Sequence, residues 1–96
     1  MNTIRLTSSG KSQAHERLRG VENTYTLMTS ATDYQVRKCN EWVLAMDLTS
    51  LVNQLANDGI GQPEFDINSL RSGTYKMEQL ISCMEGIRRL VKLHYQ

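Results

Sequence analysis

Pro63 is the only proline in the chain. On either side of it, long stretches place their apolar residues at the period of an α-helix. Such spacing draws one apolar stripe along a helix, and the stripe must be covered by another element. Over residues 74–96 the pattern is unbroken. Met77, Leu80, Ile81, Met84, Ile87 and Val91 form one row, and Cys83, Leu90 and His94 widen it. Glu78, Ser82, Glu85, Arg89, Lys92 and Gln96 hold the same period on the polar side. Glu85 and Arg89 stand four apart in the favourable order, worth a few tenths of a kcal/mol. Residues 74–96 are therefore expected to form a helix, C, with a short helical turn before it at 67–71.

Two more helices are expected upstream. Helix A spans about 11–28, with Ser8 or Ser9 as its cap. Its seam is Ala14, Leu18, Val21, Tyr25 and Met28, at alternating steps of four and three. Gly20 interrupts it at a cost of about 1 kcal/mol. Helix B spans 33–57, capped by Thr32 with Asp33 in its first turn, where the helix dipole favours an acid. Its first half is expected to bury Val36, Cys39, Val43 and Met46, and its second half Leu44, Leu48, Leu51, Val52, Leu55 and Ala56. Gly59 suits the left-handed position that closes a helix. The short link between A and B predicts an antiparallel hairpin. Residues 57–66, with Gly59, Gly61 and Pro63, form the loop before helix C. Residues 1–10 read as a short extended arm, because Ile4 and Leu6 alternate with Thr3, Arg5 and Thr7.

The expectation is thus an all-α, three-helix domain, an antiparallel hairpin plus a long C-terminal helix, with an extended N-terminal arm. Ninety-six residues make one domain, 1–96. Eleven basic and ten acidic residues leave a net charge of +1. That excludes a protein that coats polyanions by charge alone, and equally a chain held open by self-repulsion. The longest apolar run, 42–46, is far too short to span a membrane, and no export signal is visible. The cytoplasm is the expected location, and there Cys39 and Cys83 would be reduced thiols.

No catalytic or cofactor motif emerges. Phosphate-binding and dinucleotide-binding glycine loops, the nucleophile elbow and the zinc-protease signature are all missing from the sequence. His15 has Arg19 at i+4 and reads as a solvated surface residue. Neither His15 nor His94 has a Cys or His partner at ligand spacing, so no metal is expected. Asp58, Glu64 and Asp66 read as a solvated acidic loop, lacking the alternating oxygen ligands of a calcium loop. Neither enzyme activity nor a cofactor is expected.

Two patterns suggest DNA. The first is Leu48-Thr49, Gln54-Leu55-Ala56, Gly59-Ile60, then Ile67-Asn68-Ser69-Leu70-Arg71-Ser72-Gly73 and Leu80. It resembles the helix-turn-helix of phage-repressor-type proteins over about a third of the chain. The resemblance implies that Asn68, Ser69 and Arg71 face the major groove, with Thr74 and Lys76 on phosphate. The turn between Ile60 and Ile67 is longer than that family's and contains Pro63, so the same segment also reads as a loop followed by a capped helix start. The second pattern is the alternation of residues 3–7. Two copies could pair as a β-ribbon in which Thr3, Arg5 and Thr7 read bases, as in ribbon–helix–helix repressors.

The leading expectation is association with protein. Helix C and the end of helix B are apolar over more than one stripe, more than a three-helix monomer would cover, which suggests a homodimer. Gly86, four residues after Ser82, would let helix backbones approach closely. Methionines on the apolar faces suit an adaptable contact, although they also fill cores. Tyr34 and Trp42 are candidate anchors, with Trp42 alternatively part of the core beside Ala45 and Met46. Met84, Ile87 and Val91 complete the candidate partner-binding set. The function expected is that of a small non-enzymatic regulatory or inhibitor protein binding a protein partner. Compact inhibitors, antirepressors and adaptors encoded by phages and plasmids offer an analogy of size and composition. A DNA-binding transcription regulator is the alternative.

Overall fold

The computed structural model describes residues 8–61 and 67–95, with side chains from residue 13 onward. All of its regular structure is helical: α1 (Ser8–Ser30), α2 (Tyr34–Asn57), α3 (Ile67–Ser72) and α4 (Met77–His94). The all-α expectation holds, with four helices among the described residues rather than three. The turn expected at 67–71 is a separate helix, and α1 begins at Ser8, so residues 8–10 belong to it and not to an arm. The rest of the arm, the 3–7 ribbon, Arg5, and the loop residues Pro63, Glu64 and Asp66 lie outside the described residues.

Each helix boundary has a local cause. The last turn of α1 carries hydroxyls that bond back to the helix: Thr29 Oγ1 donates to the Tyr25 carbonyl (3.0 Å) and Ser30 Oγ to that of Leu27 (3.2 Å). Side chains that compete for the backbone in this way favour helix ends. Asp33, not Thr32, caps α2. Its backbone is extended and its carboxylate accepts from the N–H groups of Gln35 (2.9 Å) and Val36 (3.1 Å). Aspartate here both satisfies orphan donors and meets the positive end of the helix dipole.

Gly59 closes α2 as expected, at φ +74°. The Gly59 N–H reaches the Ala56 carbonyl (3.1 Å) and the Ile60 N–H that of Leu55 (3.0 Å), the two bonds of a Schellman motif. Gly73, at φ +75°, repeats the device after α3, with Gly73 bonded to Leu70 and Thr74 to Ser69. That stop, followed by extended Lys76, is why the last helix starts at Met77 and not at Thr74. The Lys76 N–H donates to Gln79 Oε1 (2.6 Å). Lysine carries no acceptor to return the bond.

The directions of the helices follow from contacts between them. Arg17 Nη1 of α1 donates to Ser50 Oγ of α2 (3.4 Å). Arg88 meets Glu22 (2.8 Å) and Tyr95 meets His15, two contacts in reversed order along α4 and α1. The core lies between these three helices. It takes Ala14, Leu18, Val21 and Met28 from α1, and Leu44, Leu48, Leu51, Val52 and Leu55 from α2. From α4 it takes Leu80, Cys83, Met84, Ile87 and Val91, and Leu70 of α3 and Tyr95 close it. The seam expected for helix A is thus the buried stripe of α1, with Tyr25 half-buried at its edge.

Candidate functional site

α2 carries apolar residues on two opposite sides. At about 100° per residue, the stripe of Leu44, Leu48, Leu51 and Leu55 and the stripe of Cys39, Trp42, Val43 and Met46 are centred about half a turn apart. The first stripe is fully buried. On the second, Trp42 is 62% exposed and Met46 52%, Cys39 is exposed and Val43 half-buried, with Val36 48% exposed at its upper end. The expectation that Val36, Cys39, Val43 and Met46 would be buried is therefore corrected. The leucine side supplies the core shared with α1 and α4, while α3 meets α2 beside Ala45 and Thr49. Trp42 likewise stands out from the core and is not part of it.

Beside this outward face, α3 builds a groove. Trp42, Ala45, Met46 and Thr49 of α2 and Leu70 and Arg71 of α3 enclose about 310 Å³. Buried Ala45 and Leu70 contribute apolar surface, Trp42 and Met46 stand beside them, and Arg71 is exposed. The Thr49 hydroxyl already donates to the Ala45 carbonyl (2.9 Å). The lining is thus mainly apolar with one cation, the character of a surface that takes an apolar side chain from a partner.

The expected partner-binding residues divide. Tyr34 (71% exposed) and Trp42 are accessible. Lys38, one turn beyond Tyr34, lies over its ring at 5.8 Å and pairs with Glu41 at 3.7 Å. Met84, Ile87 and Val91 are instead buried within the single chain, because α4 turns that row onto α1 and α2. They hold the fold together and are not free to anchor a partner. The residues of the DNA reading are scattered over two elements: Asn68 and Arg71 exposed and Ser69 half-buried on α3, with Lys76 exposed at the start of α4. Arg88 of α4 is tied to Glu22 of α1.

A second cluster lies where α1, the end of α2 and the end of α4 meet. Buried Tyr95 donates its hydroxyl to Asp58 Oδ2 (2.5 Å), and its carbonyl accepts from His15 Nε2 (2.7 Å). Burial, followed by the bond to Asp58, pushes the Tyr95 hydroxyl far above the usual tyrosine range. Asp58 is thus half-buried and bonded rather than part of a solvated loop, whereas His15 is exposed as expected, with its ring bonded to the Tyr95 carbonyl. Cys83 is buried, which raises its thiol to about 11, whereas Cys39 is exposed; both are free. Among the described residues, no three of His, Cys, Asp and Glu converge on a common point. No helix among them is long and apolar enough to cross a membrane.

No protein-family model, curated protein or solved structure matches this chain.

Proposed function

We propose that this chain is a small, non-enzymatic regulatory or inhibitory protein that works by associating with protein through the outward face of α2. The observation that carries this reading is the position of Trp42. An aromatic of that size, 62% exposed beside an apolar groove, leaves water-covered surface that a partner would remove. Met46 next to it extends the same surface. Aromatic anchors seated beside a pocket are the usual centres of protein–protein contacts. We place the activity in the cytoplasm, where an exposed thiol such as Cys39 stays reduced.

The test is a photo-crosslinking amino acid placed at position 42 and, as a control, at position 89 on the charged face of α4, in cells that make the protein. The expected result is a discrete protein adduct at 42 that is missing at 89. Equal labelling at both positions would refute the reading. Adducts to DNA from positions 71 and 76, with none to protein at 42, would establish the transcription-regulator alternative instead.

A further inference from the structure

We infer that the cleft between α1 and α2 bordered by Arg17, Gly20, Asp47 and Ser50 binds a free α-amino acid with a polar side chain, its carboxylate on Arg17 and its ammonium on Asp47. The cleft encloses about 240 Å³. Its walls are single turns of two helices: Arg17 and Gly20 on α1, and Asp47 and Ser50 on α2. Residues at that spacing share one face of a helix. No lining residue is shared with the groove beside Trp42.

Gly20 is the first argument. After proline, glycine is the costliest residue in a helix interior. It serves where the backbone is left-handed or where another segment comes too close for a side chain. Neither holds at Gly20. It lies inside α1 in helical backbone, and a Cβ there would meet nothing of the rest of the protein within 4 Å. What the missing side chain leaves open is the cleft itself. Close approach of a ligand to the backbone is the remaining use of a glycine.

Charge is the second argument. Among the described residues the ion pairs are Lys38–Glu41 and Arg88–Glu22. Arg17 and Asp47 border one cleft and belong to neither pair. Arg17 donates an N–H to Ser50 Oγ at 3.4 Å, and a guanidinium has several more to give. Burial raises the Asp47 carboxyl above its ordinary range, so the cleft is partly withdrawn from water. Charges in such a place interact more strongly than on an open surface. A simple anion would be drawn by Arg17 and repelled by Asp47, and a simple cation the reverse. A small molecule that carries both charges satisfies both walls at once. The volume lies below the range of about 300–1,000 Å³ that suits drug-sized ligands, which selects a smaller molecule. Its side chain then extends into a second cleft, of about 350 Å³, that shares Arg17 and Ser50. Gln13, Asn53 and Asn57 border that cleft, and carboxamides both donate and accept hydrogen bonds.

Titration of the full chain with glutamine, followed by the amide signals of its NMR spectrum, tests this directly. Binding is expected at about 0.1–1 mM, the range for a ligand of so few atoms. N-acetylglutamine lacks the ammonium and glutamine amide lacks the carboxylate, so each should bind at least about 10-fold more weakly. Leucine, which has nothing to offer the carboxamides, should also bind more weakly. Arg17→Gln and Asp47→Asn should each weaken glutamine binding at least about 10-fold. Gly20→Leu should plug the cleft and abolish binding, yet hold or raise the melting temperature, because leucine is the better helix former. Circular dichroism of each variant checks that the helices persist. No binding of glutamine to the wild type at about 10 mM would overturn the inference. Equal binding of either derivative would show that one charge suffices and refute the zwitterion. Leucine bound as tightly as glutamine would refute the placement of the side chain. An unchanged affinity in Gly20→Leu would move the binding away from this cleft and refute the site.

Discussion

The two-sidedness of α2 can be tested with a pair of truncations two residues apart. Leu48→Ala and Met46→Ala remove similar side chains from the middle of one helix, with similar small changes in helix propensity. Their surroundings differ: Leu48 is 0% exposed and Met46 52%. Truncating a fully buried leucine loses its transfer free energy and leaves a cavity, together about 3 kcal/mol. Met46 buries about half of a side chain whose complete burial is worth about 1.5–3 kcal/mol, so its loss should cost about 1 kcal/mol. A domain of this size is held by about 5–10 kcal/mol, so the difference of about 2 kcal/mol is a large fraction of the total.

Urea unfolding followed by helical circular dichroism reads both values, at protein concentrations too low for self-association. The midpoint should fall far more for Leu48→Ala than for Met46→Ala, with the slope unchanged in both. A Met46→Ala cost equal to or above that of Leu48→Ala at low concentration would refute the assignment of core and outward sides.

Capping gives a sharper local prediction: Asp33→Ala should lower stability by about 1 kcal/mol, whereas Thr32→Ala should be nearly silent in the same urea titration. Tyr95→Phe removes a bond to a carboxylate at the meeting point of α1, α2 and α4 and should cost about 1.5 kcal/mol, read as a drop in melting temperature; an unchanged melt would show that the clasp contributes nothing. Cys39 should react with a thiol reagent at once and Cys83 only as fast as the protein opens; equal rates in the native state would contradict the burial of Cys83. Burial raises the Cys83 thiol from 9.0 to about 11, so the folded state favours its protonated form. Stability should therefore hold below pH 9 and decline as the pH rises from 9 toward 11, because the unfolded chain gives up the proton first. Cys83→Ala should flatten that decline between pH 9 and 10, below the range in which the tyrosines join.

The local features were legible in the chain itself. The helical period around the only proline, the seam of α1 and the glycine that closes α2 all depend on residues within one or two turns of each other, and backbone sterics and burial of a stripe act at that range. Even there, adjacent Thr32 and Asp33 are both good caps, and only the backbone course showed which carboxylate or hydroxyl meets the free N–H groups.

Periodicity says that a stripe exists, but not which way it faces. On α2 two stripes share the helical period, and Leu44-Leu48-Leu51-Leu55 became core because α1 and α4 settled there. The same placement consumed Met84, Ile87 and Val91 and left Trp42 in water. The groove needs Leu70 and Arg71 of α3, more than 20 positions beyond Thr49, and the Tyr95 clasp joins residues 37 and 80 positions apart. No local signal encodes such meetings. They arise when three helices compete to bury their stripes at once, and that competition is settled only in the assembled fold.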